Sequence, residues 1–271
     1  MSDIRKAVVL GGSGLIGTRV VKALRADGIE VVAASRRNGV DVLTGDGLDA
    51  ALLGADVVVD ASDVHSFDAE TLRQFFVTSG ANVARAERAA GVKHHVTLSI
   101  VGVDRIVGNP YYAAKLLQEE SAKHSGVPFT IARSTQFYEF FPTLIGGFTR
   151  GSNVSLPDAL LQPLAADDTA RALGEIALKP ARDRSVFIAG PQKDTLVGWV
   201  NKVLRLTNDT KVASAGPGVT WFGAALEENS IVPSTVDYSG STTFEDWFAR
   251  PEAKASLLGD RYAEAVSIMG K

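Results

Sequence analysis

Seven residues near the start of the chain, Gly11-Gly12-Ser13-Gly14-Leu15-Ile16-Gly17, set glycines between a short apolar run and a helical one. Before them stands Lys6–Leu10 (KAVVL), a β-rich run. After them, Leu15–Ala26 places Leu15, Ile16, Val20, Val21 and Leu24 at the spacing of one helix face, and Gly28 ends the pattern. The loop satisfies both G-x-x-G-x-x-G and G-x-G-x-x-G. Glycine is required here for a tight turn, for close backbone approach to a phosphate, and for packing the helix on the strand with no side chain between them. The helix start then offers unpaired N–H groups and the positive end of its dipole. A strand, a glycine turn and a helix in this order predict a cradle for the pyrophosphate of a dinucleotide.

The rest of the first 135 residues continues the alternation. Glu30–Ala34 reads as a second strand, Val40–Leu43 as a short third, Leu48–Leu53 as one or two helical turns, and Ala55–Asp60 as a fourth strand. A long helix is expected over Ala69–Ala90, stopped by Gly91, then a strand at Val96–Ser99, a helix at Tyr111–Ser125 and a strand at Phe129–Ala132. Parallel strands need crossover connections, so this rhythm predicts an α/β fold, a doubly wound parallel-sheet Rossmann architecture. Beyond Arg133 the rhythm changes. Glycine, proline and aromatic residues crowd Gln136–Pro163, followed by helical stretches at Asp167–Leu178 and Leu196–Leu206 with the strand Ser185–Ala189 between them. The expected organisation is a dinucleotide-binding core over 1–135 and a smaller C-terminal, substrate-binding region over 136–271 packed on it as one compact unit.

The end of the second strand selects the coenzyme. An NAD site usually places an acid there for the ribose hydroxyls. This chain has Ala34-Ser35-Arg36-Arg37 instead. An acid would repel a 2′-phosphate, whereas an arginine fork and a serine hydroxyl can bind one. The expected coenzyme is NADP, with Ser35, Arg36 and Arg37 at its 2′-phosphate. In Asp46-Gly47-Leu48 the carboxylate can accept from an adenine amino group with the next apolar side chain over the ring, or it can cap the following helix. Asp60-Ala61-Ser62 ends a strand where the fold brings backbone near the coenzyme ribose, with Asp60 as a loop cap the other reading.

Composition narrows the function. The chain has 271 residues, 45% hydrophobic and 22% charged, with a net charge of −3, so a core can form and nucleic acid is not the expected partner. There is no cysteine, which excludes disulfides, thiolate nucleophiles and Cys-ligated zinc. The opening MSDIRKAVVLGG passes straight into a strand and a glycine loop, and no apolar run reaches the roughly 18 residues of a membrane span. A soluble, cytoplasmic protein with no membrane partner is expected, a monomer or homodimer. His65, His94, His95 and His124 show no ligand spacing, so no metal is expected, and His94-His95 reads as a surface or capping pair. Asp167-Asp168 suits a helix start and reads as structural.

Taken together, GGSGLIG, the acid-free SRR, TGD, ADVVVD, TLSIVGVD, YYAAK and FTIARSTQF resemble the atypical short-chain dehydrogenases/reductases, with the NmrA-like, NAD(P)H-binding branch the nearest in look. That branch includes quinone reductase-like and isoflavone reductase-like members. The resemblance covers Lys6 to about Phe137 and is looser beyond. It implies a tyrosine and a lysine four residues apart, which Tyr111 and Lys115 supply on one helix face, and a serine at the neighbouring strand end, Ser99. Lys115 would favour tyrosinate and bind the nicotinamide ribose, Tyr111 would exchange the proton that accompanies hydride transfer, and Ser99 would hold the substrate oxygen. Tyr112 is an adjacent competitor. Ser134, Thr135, Gln136 and Phe137 would border the nicotinamide. Phe137, Tyr138, Phe140, Phe141 and Phe148 either line an apolar pocket or pack the core between the two regions. The expected function is NADP(H)-dependent reduction of a small apolar or aromatic, quinone-like carbonyl substrate. The alternatives are a non-catalytic NADP(H) sensor acting through a partner, and an epimerase or dehydratase of the sugar-nucleotide kind built on the same coenzyme site.

Overall fold

β-Branched runs become strands and amphipathic runs become the helices that cover them, in a computed structural model that describes residues 4–64 and 66–258. In chain order the first half comprises β1 (Lys6–Leu10), α1 (Leu15–Ala26), β2 (Glu30–Ala34), α2 (Leu48–Leu52), β3 (Val57–Asp60), α3 (Ala69–Ala90), β4 (His94–Ile100), α4 (Pro110–Lys123) and β5 (Phe129–Ser134). The second half adds α5 (Phe141–Phe148), β6 (Thr149–Arg150), β7 (Asn153–Leu156), β8 (Leu160–Leu161), α6 (Ala166–Ala177), β9 (Arg184–Ala189), β10 (Asp194–Thr195), α7 (Leu196–Leu206), β11 (Val212–Ala215), β12 (Tyr238–Ser239), α8 (Phe244–Phe248) and α9 (Pro251–Leu258).

The central sheet has seven strands in the order β12-β9-β5-β4-β3-β1-β2, and every pairing is parallel. Chain order reverses between β1 and β3, which opens a crevice above the carboxyl ends of those two strands. Helices α1 and α6 cover one face through Val20, Leu24, Leu173 and Ile176, and α2 and α3 cover the other through Leu48, Leu52 and Val83. Residues beyond 135 take part in this core, because β9 and β12 extend the sheet from β5 and α6 packs on α1. A separate apolar cluster joins Tyr138, Phe141, Trp199, Trp221, Phe244 and Trp247. Among the described residues no helix is long and apolar enough to cross a membrane.

Two expectations are corrected. Val40–Leu43 forms no strand. Left-handed glycines at 39, 45 and 47 turn the chain on either side. Asp41 folds it on itself by accepting from the Leu43 amide at 2.8 Å, and the Asn82 amide of α3 holds the Val42 and Leu43 carbonyls that a strand would have needed for its ladder. The pair His94-His95 is neither at the surface nor capping. Both lie within β4 and are buried. His94 Nε2 meets Thr130 Oγ1 of β5 at 2.9 Å, and His95 Nδ1 meets Glu87 Oε1 of α3 at 2.5 Å. Burial pushes the His94 imidazole down to about 4, with the neighbouring His95 adding to the effect.

An unfolded histidine titrates near 6.5, so between these two values the unfolded chain holds a proton that the folded chain does not. Stability therefore falls as pH drops from about 6.5 to about 4, by on the order of 3 kcal/mol in all. His94→Gln should remove that part of the acid sensitivity. Denaturant titrations of wild type and variant at pH 7 and pH 4.5 check this, and parallel pH dependence in the two proteins would exclude His94 as the source.

Candidate functional site

The glycine turn sits at the crevice, and three of its four glycines have backbone too close to admit a side chain. A Cβ on Gly11, whose φ is +72°, would fall 2.5 Å from the Ala61 carbonyl oxygen. One on Gly12 would lie 2.9 Å from Ala33 Cα, and one on Gly17 2.1 Å from the Gly11 carbonyl oxygen. The turn is thus wedged between β2, the segment after β3 and α1. Gly14 is the N-cap of α1, and no side chain caps that helix. Its first-turn amides, from Leu15 to Gly17, therefore have no partner within the helix. Ser13 is half-buried in the turn.

At the end of β2 the expected basic pair is in place. Arg36 and Arg37 are exposed on a single 3-10 turn, and among the described residues neither forms an ion pair. Ser35 Oγ is buried without a hydrogen-bond partner. Asp46 is exposed and accepts from Thr44 Oγ1 at 2.8 Å. Gly47, not Asp46, is the N-cap of α2, and its Cβ would fall 2.3 Å from the Gly39 carbonyl oxygen, so this glycine seats one turn on another. Leu48 does not cover a ligand ring. It is fully buried against α3 and the sheet, because it is the first core-facing residue of α2.

Asp60, Ala61 and Ser62 do come to the glycine turn, through backbone: the Ala61 amide donates to the Leu10 carbonyl at 3.1 Å. The Asp60 carboxylate points inward. It accepts from the Ser62 amide at 2.9 Å and hydroxyl at 2.6 Å, and from Gln118 Nε2 at 2.7 Å.

Helix α4 carries the expected pair, Tyr111 and Lys115. Asn109 Oδ1 caps it by accepting from the amides of Tyr111 at 2.9 Å and Tyr112 at 3.2 Å, with Pro110 at the first helical position. The two tyrosines part company. Tyr112 is buried, its phenol accepts from Trp221 Nε1 and Gln136 Nε2, and burial pushes that phenol up. Tyr111 is partly exposed and donates to Asp63 Oδ2 at 3.0 Å. Lys115 points towards β4, where its ammonium donates to the Leu98 carbonyl at 2.8 Å and to Gln118 Oε1. Burial pulls Lys115 below the ordinary lysine value, opposed by the charges of Asp63, Asp60 and Glu119.

Ser99 has a different neighbour from the expected one. Its hydroxyl is buried and donates to Glu119 Oε1 at 2.6 Å. Glu119 in turn accepts from Arg133 Nε at 2.9 Å and Nη2 at 2.7 Å. To reach a substrate oxygen, the Ser99 hydroxyl would first have to leave a buried carboxylate. Ser134 Oγ is turned to the Thr135 carbonyl at 3.0 Å. Gln136 is buried and its Oε1 has no partner, while Phe137 packs beside the α1–α6 core and bridges to Leu164. The aromatic stretch is core. Tyr138, Phe141 and Phe148 are buried among Trp199, Trp221 and Phe244, which satisfies their rings without a ligand. Asp167 pairs with Arg19 and Arg250, and Asp168 accepts from Thr242, so both tie α6 to its neighbours. Among the described residues no group of three or more acidic or histidine side chains could hold a metal; His65 lies outside them.

Four residues that sequence reasoning passed over shape this site: Asp63, Gln118, Glu119 and Arg133. Gln118 and Glu119 lie three and four positions after Lys115, on its helix face, and that spacing was the available signal. Asp63 lies in an irregular segment and carries none.

Residues 11–145 match the family of NAD(P)H-binding domains. The chain carries an NAD(P)H-binding family domain. The fold is a parallel-sheet α/β fold shared with solved dehydratases and reductases. It superposes on dTDP-glucose 4,6-dehydratase DesIV of Streptomyces venezuelae, solved with NAD and TYD bound, with a TM-score of 0.71 at 18% identity, covering 96% of this chain and 99% of that one. The triphenylmethane reductase of Citrobacter sp., solved with NADP(H), gives a TM-score of 0.60 at 18% identity over 78% of this chain and 79% of that one. In sequence, the photosystem II assembly factor Ycf39 of Trieres chinensis is 26% identical over 215 residues, 72% of this chain and 65% of that protein. The chain thus spans less than two thirds of that relative's length. The uncapped amides of α1, the crowded glycines and the unpartnered Ser35 hydroxyl fit the phosphates of the coenzyme that the NAD(P)H-binding domain takes.

Proposed function

We propose that this protein is an NADP(H)-dependent oxidoreductase of the short-chain type that reduces a small carbonyl or quinone-like compound. The observation that carries the coenzyme choice is the buried, unpartnered Ser35 Oγ beside Arg36 and Arg37, with no carboxylate at the end of β2. That set has donors and positive charge to spare for a 2′-phosphate. When bound, the nicotinamide supplies the hydride. Lys115 uses two of its three N–H donors within the protein and keeps one for a ribose hydroxyl. Tyr111 holds a proton on a partly exposed phenol and can pass it to a developing alkoxide, while Asp63 orients that phenol.

A second reading is a protein that holds NADP(H) and acts through a partner. It draws on the assembly-factor relative, on the Ser99 hydroxyl being taken by Glu119, and on the carboxylate at Tyr111, which disfavours tyrosinate.

Calorimetric titration with NADP⁺ and NAD⁺, followed by NADPH oxidation against quinones and aldehydes, separates the two. A reductase turns over at least one of these and loses turnover in Tyr111→Phe and Lys115→Ala. A coenzyme-holding protein binds NADP⁺ and NADPH with different affinity and turns over none. Arg36→Ala should weaken NADP⁺ binding by about 10- to 100-fold, the worth of a charge-assisted phosphate contact, and leave NAD⁺ within about twofold. Equal loss for both coenzymes would remove Arg36 from the 2′-phosphate.

A further inference from the structure

Lys115 is a buried ammonium that, among the described residues, touches no carboxylate directly. Its hydrogen-bond acceptors are the Leu98 carbonyl and Gln118 Oε1, and the Phe76 ring of α3 stands 5.1 Å from it. Gln118 is itself buried, and its Nε2 donates to Asp60 Oδ2 at 2.7 Å. An amide side chain has one accepting end and one donating end. Only one orientation works here, because the flipped amide would set N–H against the ammonium and oxygen against the carboxylate. Asp60 is braced on its other oxygen by Ser62, at 2.9 Å from the amide and 2.6 Å from the hydroxyl. A neutral adapter therefore links a cation on α4 to an anion at the end of β3.

We propose that Gln118 is the positioning residue of Lys115: anchored on Asp60, its amide oxygen holds the ammonium against the end of β4, with one N–H left for a coenzyme ribose hydroxyl. This rests on the reading of Lys115 as a coenzyme contact. An amide does what neither alternative would do at this position. A carboxylate would close an ion pair on the ammonium and compete with the ribose for its protons. An apolar side chain would leave a buried ammonium one acceptor short and Asp60 one donor short, and burial would then favour the neutral amine.

The other groups facing Lys115 leave this role to Gln118. Asp63, from the segment after β3, acts on it through charge and accepts the Tyr111 phenol. Glu119, on the same helix, is held by Arg133 and Ser99. Glu87 and His95 reach the site only across a cavity of about 10 Å³, room for one water, that Asp60 and Gln118 also line.

The test reads Lys115 itself. In protein labelled with ¹⁵N-lysine, the Lys115 Nζ resonance is assigned by its loss in Lys115→Met and followed from pH 6 to pH 10. Gln118→Leu should lower its titration midpoint by about one unit or more, and Gln118→Glu should raise it by a similar amount. NADP⁺ affinity should fall about 10-fold in Gln118→Leu at pH 9, and the loss should shrink at pH 6, where the amine is protonated in both proteins. Midpoints that stay at the wild-type value in whichever of the two variants folds would overturn the proposal. So would an affinity loss of equal size at every pH, the mark of a merely structural residue. Wild-type protein that binds no coenzyme would defeat the functional reading, whereas the resonance would still decide whether Gln118 holds Lys115.

Discussion

Gly17→Ala should lower coenzyme affinity by about 100-fold or more, roughly 3 kcal/mol. Elsewhere in a helix the same change would help, since alanine is the better helix former by about 1 kcal/mol. Here the added Cβ would lie 2.1 Å from the Gly11 carbonyl oxygen and 2.8 Å from Gly12 Cα. Both are backbone, so no side chain can swing aside. Either α1 lifts from the turn or the turn unfolds, and in both cases the first-turn amides leave the place where a pyrophosphate would sit. Gly174→Ala, in α6 and away from the turn, is the control. Its Cβ would meet the Ala23 and Leu24 side chains at 3.8 Å, an ordinary van der Waals contact. Calorimetry with NADP⁺ on both variants, alongside thermal melts, makes the comparison. Wild-type affinity in a folded Gly17→Ala protein would refute the cradle.

The second large effect is on stability. Arg133→Met should destabilise the protein by about 3–5 kcal/mol. Arg133 and Glu119 are both buried, bonded through two parallel contacts at 2.9 and 2.7 Å. Removing the guanidinium leaves the carboxylate in the core with the Ser99 hydroxyl as its close partner and the Lys123 ammonium at 3.9 Å. It also frees Asp104, which Arg133 holds at 2.5 Å and which anchors the segment leading into α4. Denaturant midpoints measure the loss. The double variant Arg133→Met/Glu119→Leu should recover much of it, because an apolar pair leaves no uncompensated charge. A single variant within about 1 kcal/mol of wild type would mean that water reaches Glu119.

Short-range signals carried a large part of the fold. The bounds of β1, α1, β2, α3 and α7 follow from apolar spacing and from the glycines that stop the helices, as at Gly28 and Gly91. Those signals act within a few residues, through backbone sterics and one-sided burial, so the chain states them locally. The same holds for the turn before α1, which its glycines alone make possible, and for the absence of an acid at the end of β2.

Side-chain partners were not legible, because they depend on which distant element faces a residue once the sheet has formed. Ser99 meets Glu119 and Leu48 meets α3 only through packing. His95 finds Glu87 eight positions away across a helix–strand crossing. The aromatic stretch after β5 became core because α7 and α8 bring Trp199 and Phe244 against it. From its order of residues alone, this chain was bound to make a parallel sheet with a tight glycine turn at the head of its first helix, since backbone geometry and hydrophobic period are local properties. Which hydroxyl, amide or carboxylate stands beside Lys115 and Tyr111 was settled by the packing of α3 and α4 on the strand ends, since a hydrogen bond needs two groups that the sequence keeps apart and only the fold brings within 3 Å.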